Sequence, residues 1–141
     1  LKEVFISLPA TSPMRNTEDI NKAIEKLEKG GFDVIFGISP SPRNPYLNMV
    51  KVDENDCIEV LIGGSNAVRR QDVPDVYDVT TCVYVGSVDY LEKCEKLMSG
   101  RVGYVEIPAS RAIDIDTEYD LWIADLLLNN PFKINEEENG K

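Results

Sequence analysis

Two short apolar runs near the start of the chain flank a segment with helical periodicity. The first run, residues 4–8, is followed by proline and is typical of a strand buried on both faces. Apolar residues then recur at i, i+3, i+4 and i+7 from Ile20, after the typical helix N-cap Asn16. A pair of glycines ends this helix, and residues 32–38 form a second apolar run. Strand, helix and strand together predict a βαβ unit and a parallel sheet.

The middle of the chain has the pattern of a β-hairpin. Residues 46–52 and 57–62 flank the polar stretch 53–56, which is typical of a turn between two antiparallel strands. The stretch 63–78 has no periodicity and predicts a loop. Residues 80–85 are rich in β-branched side chains and predict a further strand.

Four further elements are predicted in the last third of the chain. Residues 87–100 predict a helix, and residues 102–107 predict a strand. Residues 111–116 alternate apolar and polar side chains as a strand does. A final helix follows over 117–128 and is apolar on two sides, so we expect neighbours to cover both sides. Residues 1–128 then belong to one domain, and the acidic tail 129–141 is expected to be flexible.

Charge limits the partners that fit this chain. Its 15 basic and 25 acidic residues give a net charge of −10, and most of the excess lies in residues 71–141. A field of this sign repels phosphate, which argues against a nucleic-acid binder and against a polybasic membrane binder. No apolar run is long enough to span a bilayer, so we expect a cytoplasmic protein.

Histidine and cysteine usage narrows the chemistry. The sequence has no histidine, which excludes Ser–His–Asp triads, Cys–His dyads and histidine-liganded metal sites. Cys57, Cys82 and Cys94 are odd in number and have unrelated spacings. We expect them to be reduced, buried thiols rather than part of a disulfide framework.

Asp114 and Asp116 are the most informative pair of carboxylates. On a strand both point to one side, and Arg111 lies close enough in sequence to balance them. Like charges so close repel each other unless a cation or hydrogen-bond donors compensate them. One hypothesis is a magnesium site beside a substrate phosphate, since strand ends before helices bind ligands in α/β folds. The alternative is that both acids only stabilise the dipole of the following helix.

A polar loop supplies candidate anion-binding residues. Arg69, Arg70 and Gln71 lie together there, and a guanidinium can bind a carboxylate or phosphate in bidentate fashion. The alternative is a pair of solvated surface arginines. Arg15, which follows the first strand, has the same two interpretations. Tyr84 could contact a sugar or a base, or could pack within its strand.

Four sequence blocks occur in a familiar order. They are LPATSPMR at 8–15, NPY at 44–46, RRQDVP at 69–74 and RAIDIDTEYD at 111–120. In order and spacing they resemble the acylneuraminate cytidylyltransferases, also called CMP-sialic acid synthetases. The resemblance extends in register from about Val4 to Leu128, nearly the whole chain.

This resemblance implies a Rossmann-like, three-layer α/β nucleotidyltransferase fold with a mostly parallel sheet. It also implies a dimerisation hairpin at about residues 46–62. The implied reaction transfers CMP from CTP to the anomeric hydroxyl of a nonulosonic acid, with Mg²⁺, in a homodimer. Asp114 and Asp116 match the family's metal-binding, catalytic pair, and Arg70 and Gln71 match residues at the sugar site. Further substrate-binding residues by the same resemblance are Thr11, Ser12, Arg15, Thr80 and Tyr84.

Three departures from the family pattern lie on the sugar side. Pro9-Ala10 stands where many members have Gln-Pro, and Thr80-Thr81 stands where they have Asn-Gly. Leu47 replaces a lysine that is common there. The resemblance therefore leaves the sugar open among sialate, legionaminate, another nonulosonate and an octulosonate.

The family's amino-terminal motif, which grips the CTP phosphates, has no counterpart in this sequence. The chain is thus expected to be the carboxy-terminal part of such an enzyme, truncated at its amino end, and to be inactive by itself. The alternative is a non-catalytic module that binds a sugar acid or dimerises and has kept the fold.

Overall fold

A computed structural model describes residues 3–64 and 69–129. The elements in chain order are β1 (Val4–Ser7), α1 (Thr17–Glu28), β2 (Val34–Pro40), β3 (Val50–Val52), β4 (Ile58–Val60), a 3₁₀ turn (Arg70–Asp72), β5 (Tyr77–Ser87), α2 (Val88–Leu91), β6 (Val102–Glu106) and α3 (Glu118–Asn129). The tail that is predicted to be flexible, residues 129–141, lies outside the described residues except for Asn129, the last residue of α3. Part of the predicted loop, residues 65–68, also lies outside them.

The main sheet is mixed, with the strand order β1-β5-β2-β6. β1 and β2 run in the same direction, as the βαβ prediction requires, but β5 lies between them and is antiparallel to both. The parallel pairing among the described strands joins β2 to β6. The predicted α/β class is confirmed, whereas the expectation of a mostly parallel sheet is wrong for these four strands. The long β5 returns between β1 and β2 and supplies a ladder to each.

Helix α1 forms as its periodicity predicts. Asn16 caps it in a reciprocal capping box with Asp19, and Ala23 and Leu27 are buried on its inner face. That face packs on a core from α1, the main sheet and the residue after β6: Ala23, Leu27, Ile35, Cys82, Val83, Val85, Val105 and Ile107. The helix is followed by two glycines with positive φ, a conformation that glycine adopts without strain.

The β2–β5 ladder is interrupted near its middle. Phe36 lies opposite Tyr84, but the next residue, Gly37, lies opposite Thr80. Residues 81–83 of β5 are therefore extra residues relative to β2, and they form a bulge. A bulge takes side chains out of the strand alternation and re-aims them. This bulge is where the loop after β1 and the segment before α3 contact the sheet.

Two predicted elements are shorter than expected or absent. The helix predicted over 87–100 is restricted to α2, because the Tyr90 hydroxyl lies within hydrogen-bond distance of the Lys96 and Leu97 carbonyls. Those contacts close a compact loop in place of further helical turns. Segment 111–116 is not a strand: it begins in a turn and continues as irregular backbone. Its Ile115 N–H donates to a carbonyl of the loop after β1 and not to a neighbouring strand.

Several side chains are more exposed than their patterns indicated. Phe5 of β1 is 53% exposed, because β1 pairs only with β5 among the described strands. Trp122 of α3 is 61% exposed, so the expectation that α3 is covered on both sides is wrong for the described residues. Cys57, expected to be buried, is exposed where the hairpin turn ends, whereas Cys82 is buried and Cys94 is half-buried. No helix among the described residues has the length and apolar character needed to cross a bilayer.

Candidate functional site

The bulge in β5 brings two distant segments together. Ser12, which is fully buried, has its hydroxyl oxygen 2.5 Å from that of Thr81. Nη1 of Arg15 donates to the Cys82 carbonyl at 3.1 Å. The Cys82 thiol donates in turn to the Arg111 carbonyl at 3.3 Å. Because residues 81–83 leave the ladder, their polar groups are free to hold both segments in place.

Arg111 fixes the segment before α3 onto helix α1. Its Nε donates to Asp19 Oδ2 at 3.2 Å, and its Nη2 donates to Oδ1 at 2.6 Å. The Asp19 carboxylate is buried, and its hydrogen bond raises the pKa of Arg111. The guanidinium is thus engaged with Asp19, and Arg111 anchors the chain three residues before Asp114.

Asp114 lies at a cleft of 210 Å³ beside this anchor. The described residues that line the cleft are Ser39, Pro40, Pro42, Asp78, Val79, Thr80, Thr81, Ala109, Ala112 and Asp114. Oδ1 of Asp114 is buried and has no hydrogen-bond partner among the described residues. The carbonyl of Thr11 accepts the Ile115 N–H at 2.9 Å, so Thr11 positions this segment through its backbone. A buried carboxylate oxygen without a partner is costly, and a bound cation or donor relieves that cost.

Asp116 is exposed and lies next to the start of α3. Its N–H and that of Thr117 both donate to the Asp120 carboxylate, at 3.3 and 2.8 Å. The Asp120 N–H donates back to the Thr117 hydroxyl, which confirms the predicted capping box. The Thr117 hydroxyl also holds the pKa of Asp120 below its usual value. The following helix therefore starts on its own cap, and the side chains of the Asp114–Asp116 pair are not needed for it.

Thr80 and Tyr84 have different surroundings, although both lie on β5. Thr80 lines the cleft opposite Gly37. Tyr84 lies edge-on to the Phe36 ring, with centroids 5.1 Å apart, and is not among the described residues lining the cleft. Burial raises the pKa of Tyr84, and the charge of Asp114 adds to that effect. Tyr84 packs within the sheet near the site.

Arg70 lies at a second pocket, of 560 Å³, which has one lining residue in common with the first. Pro40 lines both, and Arg70 donates from Nη2 to the carbonyl of Pro42, a residue of the first cleft, at 2.5 Å. Buried Asn44, whose Nδ2 donates to the Pro74 carbonyl at 3.1 Å, links the two walls of this pocket. Gln71 is exposed on the 3₁₀ turn and is not among the described residues lining either pocket.

Ser39 and Asp78 belong to the cleft, although sequence reasoning did not single them out. They are direct partners in the β2–β5 ladder, so both side chains stand on one face of the sheet. The available signal was the strand alternation, which puts Ser39 two residues after Gly37. It could not reveal the cleft, because the partner of Ser39 depends on the bulge.

The magnesium ion implied by the resemblance is compatible with the residues present. Asp114 offers a buried, unpartnered carboxylate oxygen, and Asp116 offers a second carboxylate two residues later. Magnesium binds few protein carboxylates and completes its coordination with waters and substrate phosphates. No cluster of three or more acidic or cysteine side chains suited to a metal occurs in residues 3–64 and 69–129. Asp114 lines the cleft, whereas Asp116 is exposed and is not among the described residues lining it, so the two would offer one buried and one solvent-facing ligand.

Several curated relatives carry names of one group of enzymes. The chain is 32% identical to a CMP-N,N'-diacetyllegionaminic acid synthase of Campylobacter jejuni, over 90% of this chain and 53% of that protein. It is 24% identical to an N-acylneuraminate cytidylyltransferase of Streptococcus agalactiae, over 96% of this chain and 32% of that protein. The chain is related to the CMP-sialic acid synthetases. The resemblance predicted from the four sequence blocks is thereby confirmed.

The chain is also similar to a protein with a different kind of name and to a solved structure. A post-translational flagellin modification protein B of Campylobacter coli is 30% identical over 89% of this chain and 53% of its own length. The solved structure of a 4-diphosphocytidyl-2C-methyl-D-erythritol synthase of Anaerococcus prevotii superposes with a TM-score of 0.57 at 15% identity, over 90% of this chain and 59% of that one. This likeness confirms the α/β fold. No family model matches the chain. The chain spans about half the length of the first two relatives named from Campylobacter.

Proposed function

We propose that this chain forms the sugar-side and metal-binding part of an enzyme that transfers CMP from CTP to a sialic-acid-like nonulosonic acid. In this reaction the anomeric oxygen bonds to the α-phosphorus of CTP, and the bond to the β-phosphate breaks to release pyrophosphate. The observation that carries the proposal is the unpartnered Oδ1 of Asp114 in the cleft, together with Arg70 in the pocket that shares Pro40 with it. The relatives named above support the same chemistry.

Asp114 and Asp116 would hold the magnesium ion at this site. When bound, Mg²⁺ neutralises charge on the phosphate oxygens and favours attack at phosphorus. The chain's own residues supply the positioning. The Ser12–Thr81 contact and the Arg111–Asp19 ion pair hold two walls of the cleft at fixed positions. Rigid positioning of reactants is a large part of catalysis in phosphoryl and nucleotidyl transfer.

Arg70 is the proposed site for the carboxylate of the sugar acid. Nη2 is bonded to the Pro42 carbonyl, which orients the guanidinium at the pocket and leaves its other N–H groups for a ligand. Gln71 and Thr11 lie on the flanking loops and stay predictions as binding residues. Arg15 bonds to the Leu8 and Cys82 carbonyls, so the structure favours a loop-positioning role for it.

A legionaminate-type acid is the favoured substrate within this class. Identity is 32% to the legionaminic acid synthase and 24% to the acylneuraminate enzyme. The sugar-side departures at Pro9-Ala10, Leu47 and Thr80-Thr81 agree with a sugar other than sialate. A panel of sialate, legionaminate and an octulosonate, assayed by CTP-dependent pyrophosphate release, distinguishes these substrates.

The test uses the full-length gene product with CTP, Mg²⁺ and the panel of acids. Asp114→Asn and Asp116→Asn should each lower kcat by at least about 100-fold, the effect of losing one dominant electrostatic contact. Asp89→Asn, an exposed aspartate on α2, is the matched control and should keep full activity. Release of pyrophosphate that is absent with every acid, or unchanged in both variants, would refute the proposal. The inactivity of the 141-residue chain alone stays a prediction, checked in the same assay.

We also propose that the hairpin β3–β4 mediates homodimerisation. Val50 pairs with Val60 and Val52 with Ile58, so four apolar side chains share one face. Val52 and Ile58 are 65% and 68% exposed, and the opposite face carries the Lys51–Glu59 ion pair. A two-stranded hairpin with a bare apolar face is marginally stable in water, and a second copy would cover that face.

Light scattering on the eluted full-length protein tests the dimer. Val52→Lys should convert a dimer to a monomer, because it would bury a charge in the interface. Lys51→Gln, on the other face of the same strand, is the matched control and should leave the dimer intact. A dimer that survives Val52→Lys contradicts this role of the hairpin.

A further inference from the structure

Ser39 is a second residue of the cleft whose buried polar group lacks a hydrogen-bond partner among the described residues. The residue is 5% exposed, and its hydroxyl has no hydrogen-bond partner among the described residues. A buried hydroxyl left unpaired costs free energy, and native structures rarely tolerate one without a reason. Its hydroxyl lines the same cleft as the unpartnered oxygen of Asp114.

Asp78 stands directly across the ladder from Ser39. The two are Cα partners in the antiparallel β2–β5 pairing, so their side chains project from the same face of the sheet. The next pair on that face is Gly37 and Thr80. A Cβ on Gly37 would lie 2.7 Å from the Thr80 hydroxyl, so this glycine leaves room for that side chain beside the cleft.

The charge of the cleft decides what kind of group it can receive. Asp78 and Asp114 both line it, and no lysine or arginine is among its described lining residues. A carboxylate or phosphate placed against Asp78 itself would meet a like charge, because the proposed magnesium ion is held by Asp114 and no basic side chain is among the described lining residues. A hydroxyl or an amide N–H instead can donate to the Asp78 carboxylate and exchange a hydrogen bond with Ser39.

We propose that Ser39 and Asp78 form a specificity subsite that binds a neutral, hydrogen-bond-donating substituent of the sugar acid, a hydroxyl or an acylamino group. This inference rests on the proposed function and extends it to the orientation of the sugar. In the proposed function Arg70, in the pocket that shares Pro40 with the cleft, binds the carboxylate, and the anomeric carbon that bears this carboxylate lies toward the magnesium site. The substituent at Ser39 and Asp78 then determines which nonulosonic acid is accepted.

The experiment measures KM for the sugar acid, KM for CTP and kcat in the full-length gene product. Ser39→Ala and Asp78→Asn should each raise KM for the preferred acid by about threefold to tenfold, the effect of one net hydrogen bond. KM for CTP and kcat should stay within about twofold, because the lost contact is uniform binding to the sugar. Ser39→Ala should not lower the midpoint of urea unfolding, since the hydroxyl bonds to none of the described residues. The matched controls, Ser99→Ala and Asp89→Asn, lie outside the cleft and should leave both KM values and kcat unchanged.

Analogues of the acid that lack one hydroxyl or one acylamino group identify the contact. The analogue that lacks the group bound by Ser39 should have the same KM in the unmodified protein and in Ser39→Ala, because the hydrogen bond to Ser39 is absent in both cases. Unchanged KM for the acid in both variants overturns the subsite. A raised KM for CTP or a raised magnesium requirement in Asp78→Asn also overturns it, since Asp78 then serves the nucleotide or the metal. Absence of pyrophosphate release from the unmodified protein with every acid refutes the proposed function itself, and the subsite with it.

Discussion

The ion pair between Asp19 and Arg111 should be the most costly polar contact to break. The carboxylate is 2% exposed and receives two N–H groups of the guanidinium, at 2.6 and 3.2 Å. Arg111→Met keeps the aliphatic stem but leaves the carboxylate buried with the Asn16 N–H as its remaining donor. Removing one partner of a buried pair costs about 3 kcal/mol, because the other charge stays in a poorly solvated place.

The double variant Asp19→Asn/Arg111→Met, compared with the two single variants, measures the coupling free energy between the two side chains. The asparagine at position 19 can still accept from the Asn16 N–H, so the helix cap is retained. With no buried charge left, the double variant should be more stable than the sum of the two single losses predicts, by about 1.5 kcal/mol. Urea unfolding of the full-length gene product, followed by circular dichroism, measures each free energy at a constant m-value.

Helix α1 provides a surface pair for comparison. Lys22 and Glu18 lie 2.6 Å apart, but both side chains are more than half exposed. Lys22→Met should therefore lower the free energy of unfolding far less than Arg111→Met does. Losses from the single variants that simply add, or an Arg111→Met loss as small as that of Lys22→Met, would refute the reasoning that burial makes the Asp19 contact strong.

Three other changes have defined outcomes. Gly37→Ala should lower the unfolding free energy by about 1–3 kcal/mol, because the new Cβ would lie 2.7 Å from the Thr80 hydroxyl; unchanged stability would show that Thr80 moves away freely. Thr117→Ala should cost about 1 kcal/mol in the same urea assay through loss of the cap it shares with Asp120, and a neutral effect would contradict that cap. Backbone N–H groups of the hairpin turn hold the pKa of Asp53 below its usual value, so its contribution to turn stability is present above the unfolded pKa and is lost as pH falls through the folded value. Amide chemical shifts of the turn, followed through an acid titration, should report that loss, and shifts that stay constant would contradict it.

Local sequence was enough to predict elements whose stabilising contacts are local. Helix α1 begins at Asn16 because the cap and the Asp19 side chain satisfy backbone groups within one turn. The cap formed by Thr117 and Asp120 is of the same kind and was predicted for the same reason. The hairpin was predicted at the correct position in the chain, although its strands are shorter than the apolar pattern indicated.

Elements that depend on distant partners could not be predicted in this way. The position of β5 between β1 and β2 is a property of strand pairing, and no local pattern encodes which strand becomes a neighbour. The helix predicted over 87–100 ends early because one hydroxyl, that of Tyr90, lies near carbonyls six and seven residues away. Tertiary contacts of this kind override helix propensity.

The candidate site was predicted in part for the same physical reason. Asp114 could be singled out because a carboxylate pair before a helix is visible in the sequence. Arg70 could be singled out by its composition, but its position at a pocket depends on a carbonyl 28 residues earlier in the chain. Ser39 and Asp78 face each other only because β5 contains the extra residues 81–83. A change of register is invisible to periodicity, since it shifts side chains without altering the pattern of either strand.

The charges of the site determine how an anionic sugar must approach it. The chain carries a net charge of −10 and gives no long-range attraction to a carboxylate. Within the site, Asp78 and Asp114 line one cleft, while Arg70 lines the adjoining pocket. In a nonulosonic acid the anomeric carbon carries the carboxylate as well as the attacking hydroxyl, so the carboxylate has to stay near the proposed magnesium ion. Arg70 in the neighbouring pocket and that ion are then the two cations that can offset the charge of the acid, whereas Asp78 is left to accept hydrogen bonds from neutral substituents.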